Sequence, residues 1–336
     1  MTAARYKRAE GMLSPGVRPR FLYDAHGLFI DSDMHLPELN MLPATGPAEA
    51  AALRIEWMRE QDVPVPTASQ WRARAAYRGW LRTANLPTGT LMKFSDSSSF
   101  LISPEGDRID ACCGQLALPG QFRHNLLHQA IPYALIAAGK SVLHSGAVDM
   151  GGGVAIFLGA SGAGKSTMVQ AFATLRRPIL GDDIVRVDVT SGVAMAFPSY
   201  PGIRVWSDQA TGDTLLPKLR IGASDGLCFA EKALPIRAIY HLQSGRTSAP
   251  IFTDIAPMTA ANLFFRSTYL SHVVGSDAAT RNFETLSDIA ITVPIFAVKY
   301  RRALSSLHIV TSGITSHFRS LGKAHSASVR STSAVA

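Results

Sequence analysis

Val154-Ala155-Ile156-Phe157-Leu158-Gly159-Ala160-Ser161-Gly162-Ala163-Gly164-Lys165-Ser166-Thr167 (VAIFLGASGAGKST, 154–167) is the stretch from which the fold is read. It opens with an unbroken apolar run, the pattern of a strand buried on both faces. It closes on STMVQAFATL, an amphipathic helical pattern from Ser166. Between them Gly159, Gly164, Lys165 and Ser166 meet the spacing G-x-x-x-x-G-K-S. Glycines let the backbone curl with its N–H groups turned inward, a nest for anionic oxygens. The N-terminus of the following helix adds positive partial charge. The expected phosphate-contacting residues are Gly159, Ala160, Ser161, Gly162, Ala163, Gly164, Lys165, Ser166 and Thr167. Lys165 reaches the β- and γ-phosphates of a nucleoside triphosphate, and the Ser166 hydroxyl ligates Mg²⁺.

Working outward, Asp182-Asp183 ends the strand-like run PILGDD, and His144 lies in SVLHSGAVDM ahead of the loop strand. Ligands of open α/β sheets bind at strand ends beside such a loop. Two adjacent carboxylates there repel unless a cation sits beside them, and Mg²⁺ or Lys165 supplies one. An Asx-type turn is the plainer reading of the pair, and a structural strand histidine the plainer reading of His144.

The 336 residues are 47% hydrophobic and 17% charged, enough for a sizeable core and two domains. The net charge of +8 suits anionic partners without choosing among them. No Lys/Arg run interleaved with aromatics appears, which argues against a nucleic-acid partner. Cys112, Cys113 and Cys228 give neither a disulfide framework nor metal-ligand spacing. They suit a reducing cytoplasm. MTAARYKRAEGML has no apolar core of signal-peptide length. The runs Ile131 to Ala138 and Gly153 to Leu158 are too short to cross a bilayer. The expectation is a cytoplasmic chain without a membrane partner.

Residues 1–20 read as a flexible tail. Residues 21–120 hold short strand patterns (FLYDAHGLFID, LRIEW, WRARAAYRGWLR, TLMKF, SFLIS, RIDACC) and predict a small β-rich N-terminal domain. From Gln121 to Ala138 the period turns helical, with Pro132 predicting a kink or a helix start and Gly139 a C-cap. Strands follow at PILGDD, IVRVDV, RAIYHLQ and VPIFAVKY, with a hairpin-like AMAFPSYPGIRVW. Helices are expected near 257–266, 280–290 and in ALSSLHIVTSGITSHF. Residues 321–336 read as a disordered tail.

LHSGAVD (143–149), GGG, GASGAGKST (159–167) and GDD (181–183) together resemble the catalytic domain of the HPr kinase/phosphorylase family. The likeness covers roughly residues 125 to 315. YDAHGLFIDSDMHLPEL (23–39), ALIAAGKSVLHSGAV and SYPGIRVW (199–206) further resemble the HPr-kinase-like proteins of bacterial peptide-modification systems, lasso-peptide clusters among them. The resemblance implies an α/β fold of the HPr kinase and phosphoenolpyruvate carboxykinase type over residues 121–320. It also implies ATP and Mg²⁺, and transfer of the γ-phosphate to a serine of a protein or precursor peptide. On it Lys165 holds the phosphates, Ser166 and Asp182 the metal, Asp183 is the base, and His144 stands near the γ-phosphate. HPr kinases assemble as oligomers, which leaves a homo-oligomer open. The chain departs from the family at Thr167, where an acidic residue is usual, and it lacks the later E-x-R-G-x-G-like signature.

Two other functions stay open: a nucleotide-gated binding protein without transfer chemistry, and a small-molecule kinase. A transporter ATPase is disfavoured, because no L-S-G-G-Q-like signature is present and RAIYHL runs into Gln243 rather than Asp-Glu. Arg204 follows a Pro-Gly turn and reads equally as a phosphate contact or a cation stacked on Trp206. Arg266 is a weaker candidate of the same kind. His124, His128 and His144 lack metal-ligand spacing, so no zinc is expected.

Overall fold

The computed structural model describes residues 19–43, 51–72, 80–206, 218–269 and 276–332. The chain is mixed α/β and forms two compact units. One comprises residues 1–142, 204–220 and 269–282. The other comprises residues 143–203, 221–268 and 283–336. The units thus divide at Val142/Leu143 rather than at the expected 120/121.

The first unit is built on β1 (Phe21–Ala25), β2 (Leu28–Ser32), β3 (Asn40–Met41), β4 (Leu53–Trp57), β5 (Leu81–Leu86), β6 (Gly89–Phe94), β7 (Ser99–Ile102) and β8 (Arg108–Cys112). These eight described strands pair in the order β3-β1-β2-β4-β8-β7-β6-β5. FLYDAHGLFID, expected as one strand, is a hairpin. His26 (φ 56°) and Gly27 (φ 65°) both turn left-handed, and Ala25 pairs with Leu28. Phe122 of the following helix stacks on Trp57 and Phe100, each at 5.3 Å, and covers the sheet. The expected tail at 1–20 lies outside the described residues except for residues 19 and 20, as does most of the run WRARAAYRGWLR.

That helix comes in two parts, α1 (Pro119–Asn125) and α2 (Ile131–Ala137), joined by a π-helical turn over Leu126–Ala130. Pro132 falls in the first turn of α2, as its ring demands. Proline has no N–H to return to the carbonyl of His128, and the Tyr269 hydroxyl donates to that oxygen instead. Gly139 caps the helix with φ 76°, and Lys140 N–H reaches Leu135 O at 2.9 Å.

After α2 the chain forms β9 (Ser141–Leu143), β10 (Gly146–Asp149), β11 (Val154–Leu158), α3 (Lys165–Thr174), β12 (Ile179–Gly181), β13 (Val185–Thr190), β14 (Val193–Phe197), β15 (Gly202–Trp206) and β16 (Lys218–Gly222). It continues with β17 (Leu234–Gly245), β18 (Ile251–Asp254), α4 (Pro257–Ser267), α5 (Ser276–Thr292), β19 (Ile295–Arg301) and α6 (Leu307–Thr332). Most of β9, β15 and β16 and the amino-terminal part of α5 belong to the first unit, and the other elements after α2 to the second.

The main sheet runs β12-β10-β11-β17-β14-β13-β9, with β19 also on β17 and β18 on β19. It is mixed: β11, β17 and β19 are parallel, while β10, β14 and β18 run against their neighbours. All five residues of β11 are buried, as its apolar run requires. One face packs Ile156, Leu158 and Ile239 against Phe264 of α4 and Ile289 of α5. On the other face Phe157 stacks on Phe172 of α3 and on Tyr240.

Three segments depart from their sequence patterns. SVLHSGAVDM is two strands, because the chain breaks at His144, whose N–H bonds Ser267 O at 2.7 Å. AMAFPSYPGIRVW is not a hairpin: β14 pairs with β13 and β17, while β15 pairs with β16. The C-terminal stretch, expected as a disordered tail over 321–336, continues α6 as helix through Thr332. Residues 333–336 lie outside the described ones.

Candidate active site at the carboxyl edge of the sheet

Register brings the candidate residues together. Gly146 pairs with Phe157 and Ala147 with Gly181, so the amino end of β10 lies at the same edge as the carboxyl ends of β11 and β12. His144 precedes β10, the glycine loop follows β11, and Asp182-Asp183 follows β12. Three adjacent strands therefore deliver three sequence-distant elements to one edge.

The loop passes from Gly159 to Gly164, whose φ of 104° is open to glycine and costly to any other residue. Helix α3 starts at Lys165, and its first internal bond is Met168 N–H to Gly164 O at 2.9 Å. The N–H groups of its first turn therefore face the loop end. The Lys165 ammonium bends back to Gly159 O at 2.8 Å and Ala160 O at 3.4 Å. Ser161 and Gly162 are exposed and Ser166 is half-buried.

Asp182 is only 3% exposed, whereas Asp183 is partly buried and takes a left-handed backbone, φ 84°. Aspartate tolerates this conformation better than most side chains. His144 Nδ1 lies 3.1 Å from Asp183 O and 3.8 Å from its Oδ1. A carbonyl only accepts, so Nδ1 carries the proton and donates to Asp183 O. Ser199 N–H, from the SYPG segment, bonds Leu180 O at 2.7 Å, which sets that segment beside the Asp pair.

Among the described residues, no three His, Cys, Asp or Glu side chains group so as to hold a metal by themselves. The rings of His124 and His128 lie 4.3 Å apart, tilted by 36°, and both residues belong to the first unit. Arg266 is exposed and precedes Ser267, the residue bonded to His144. The side chains of Arg204 and Trp206 lie outside the described residues.

Two features escaped the sequence reading. The Tyr300 hydroxyl, from β19, donates to Ala163 O of the loop at 2.9 Å. His241 and Gln243, at the carboxyl end of β17, share a 3.2 Å contact one strand from the loop. Burial holds His241 below its ordinary range. No spacing rule links Ala163 to Tyr300, so only the folded sheet reveals that contact.

No family model matches the chain, and no curated protein matches it. Among solved structures it is similar to that of the Hpr(Ser) kinase/phosphatase from Coxiella burnetii. The two share 9% identity at a TM-score of 0.34, covering 55% of this chain and 99% of that one. No described helix is long and apolar enough to cross a membrane.

Proposed function

We propose that this chain is an ATP-dependent kinase that transfers the γ-phosphate to a serine hydroxyl of a protein or precursor peptide. The observation that supports it most is the delivery of His144, Asp183 and the Gly159–Thr167 loop to one sheet edge by β10, β11 and β12. Phosphoryl transfer asks the protein for positioning and charge more than for covalent chemistry. The loop and the α3 N-terminus receive the phosphates, and Lys165 swings from the loop carbonyls onto them. Asp183 takes the proton of the acceptor hydroxyl as its oxygen bonds to the γ-phosphorus. The bond from that phosphorus to the β–γ bridging oxygen breaks, and ADP leaves. His144 donates from Nδ1 to Asp183 O and so fixes the strained turn that aims the carboxylate.

The donor set suits Mg²⁺, which takes one or two carboxylates and completes its shell with phosphates and water. Ser166 and the buried Asp182 would hold it, and it would neutralise developing phosphate charge. The motifs at 23–39 and 199–206, which resemble those of HPr-kinase-like proteins of peptide-modification clusters, support a precursor peptide as the acceptor.

The test incubates the protein with γ-labelled ATP, Mg²⁺ and extract of its own cell, then reads phosphoserine, with Asp183→Asn as the control. Label on serine of one macromolecule, absent with the variant, is expected. Nucleotide binding with no label on any macromolecule would move the reading to a small-molecule acceptor or a nucleotide-gated switch.

A further inference from the structure

Gly146 is a glycine with no turn to make. It lies in β10, paired with Phe157, and its backbone is not left-handed. In strands glycine is disfavoured, and it marks places where another backbone comes close. Here the neighbour is α3. A methyl group on residue 146 would overlap Cγ2 of Val169 and stand 3.7 Å from Lys165 O. Val169 is fully buried. Residues four apart share one face of a helix, so α3 rests on β10 by the face that starts at Lys165.

The rest of α3 is held as well. Phe172 stacks on Phe157 of β11 at 5.7 Å. At the loop end the Tyr300 hydroxyl donates to Ala163 O at 2.9 Å and lies against Gly164. The other half of the site belongs to the sheet. His144 stands two residues before Gly146 and donates to Asp183 O. Asp183 leaves β12, which pairs with β10 on the side away from β11. The loop and α3 therefore form the phosphate side, and β10 and β12 carry the base. The distance between the two is set where α3 meets Gly146.

We propose that Gly146 is a positioning residue, and that its contact with Val169 sets how far a bound γ-phosphate stands from the Asp183 carboxylate. This rests on reading this edge as a kinase site. Transfer demands close alignment, and a misplacement of about 1 Å can cost about 10²-fold in rate. A side chain at residue 146 would lift the phosphate side off the sheet and leave Asp183 and His144 where they are.

The experiment measures MgATP affinity by calorimetry and single-turnover transfer of γ-label to serine in extract of the protein's own cell. The proteins are the wild-type chain, Gly146→Ala, Val169→Ala, the double variant and Val169→Ile, with a melting curve for each. Gly146→Ala is expected to keep MgATP affinity within about threefold and to lose about 10²-fold in transfer. The double variant, in which the shortened residue 169 makes room for the methyl group, is expected to regain most of the rate that Val169→Ala shows. Val169→Ile crowds the same contact from the helix side and is expected to slow transfer in the same sense, which decides the matter should Gly146→Ala not fold. Full transfer by the crowded variants overturns the inference. So does a loss of affinity equal to the loss of rate, or a double variant no faster than Gly146→Ala. A wild-type chain that binds MgATP but labels no macromolecule removes the kinase reading itself, and the inference with it.

Discussion

Asp183 carries two demands at one position. Its left-handed backbone costs about 1 kcal/mol in a non-glycine residue, and its carboxylate faces His144. Such strain at a reacting group is held by its surroundings, here by the His144 bond to its carbonyl. Asp183→Gly is therefore expected to raise unfolding free energy by about 1 kcal/mol while abolishing transfer. Asp183→Asn is expected to keep nucleotide binding and to lose roughly 10²–10⁴-fold in transfer rate, the usual worth of a general base. Urea titrations and single-turnover labelling read the two effects separately. A fully active Asp183→Asn would remove the base from the account. The Asp pair, His144 and Lys165 could be named as candidates from sequence because few residue types do this chemistry and motif spacing locates them. Tyr300 was not, because its role depends on one hydroxyl reaching a loop 137 residues away in sequence.

Elements were legible where the period was regular. β11, α3 and the strands LRIEW and RIDACC follow from apolar runs and alternation. Breaks decided by tertiary partners were not: the chain bends at His144 to meet Ser267, and β14 and β15 part to join different sheets. Pro132 announced an irregular helix, but a π turn could not be read without Tyr269 to satisfy His128 O. Tyr269→Phe is expected to cost about 1 kcal/mol, since it removes the hydroxyl that donates to that carbonyl, and a urea denaturation series would show it. No change in midpoint would mean that water replaces the hydroxyl.

Helix α6 docks through His317, which stacks on Phe252 at 4.1 Å and whose Nδ1 lies 3.1 Å from the Tyr240 hydroxyl. Burial lowers the His317 pKa, and Asp254 partly opposes this. The unfolded histidine titrates near its ordinary 6.5, so it binds more protons than the folded one just below that pH. The stability contributed by neutral His317 is present above 6.5 and is lost as pH falls through the lowered folded value. Melting temperature is expected to fall between pH 7 and 5, and His317→Phe to flatten part of that slope. His241, lowered by burial too, keeps the rest. A slope untouched by His317→Phe would remove this histidine from the balance.

At the scale of the whole molecule, the mixed α/β class was readable from where helical periods begin, but the division into two units was not. Helices α1 and α2 read as the start of the second domain because their period changes there, yet their apolar faces pack on the first sheet through Phe122. The second sheet is mixed rather than parallel throughout, and this is what lets an antiparallel β10 bring His144 to the edge where the loop and the Asp pair end. The account's central claim is that this edge receives a nucleoside triphosphate through residues 159–167. Calorimetric titration of MgATP into the wild-type chain and Lys165→Ala tests it most directly. Saturable binding by the wild type, weakened about 100-fold or more in the variant as a charge-assisted phosphate contact is lost, is the predicted result. Equal affinity in the two proteins, or none in the wild type, would contradict it.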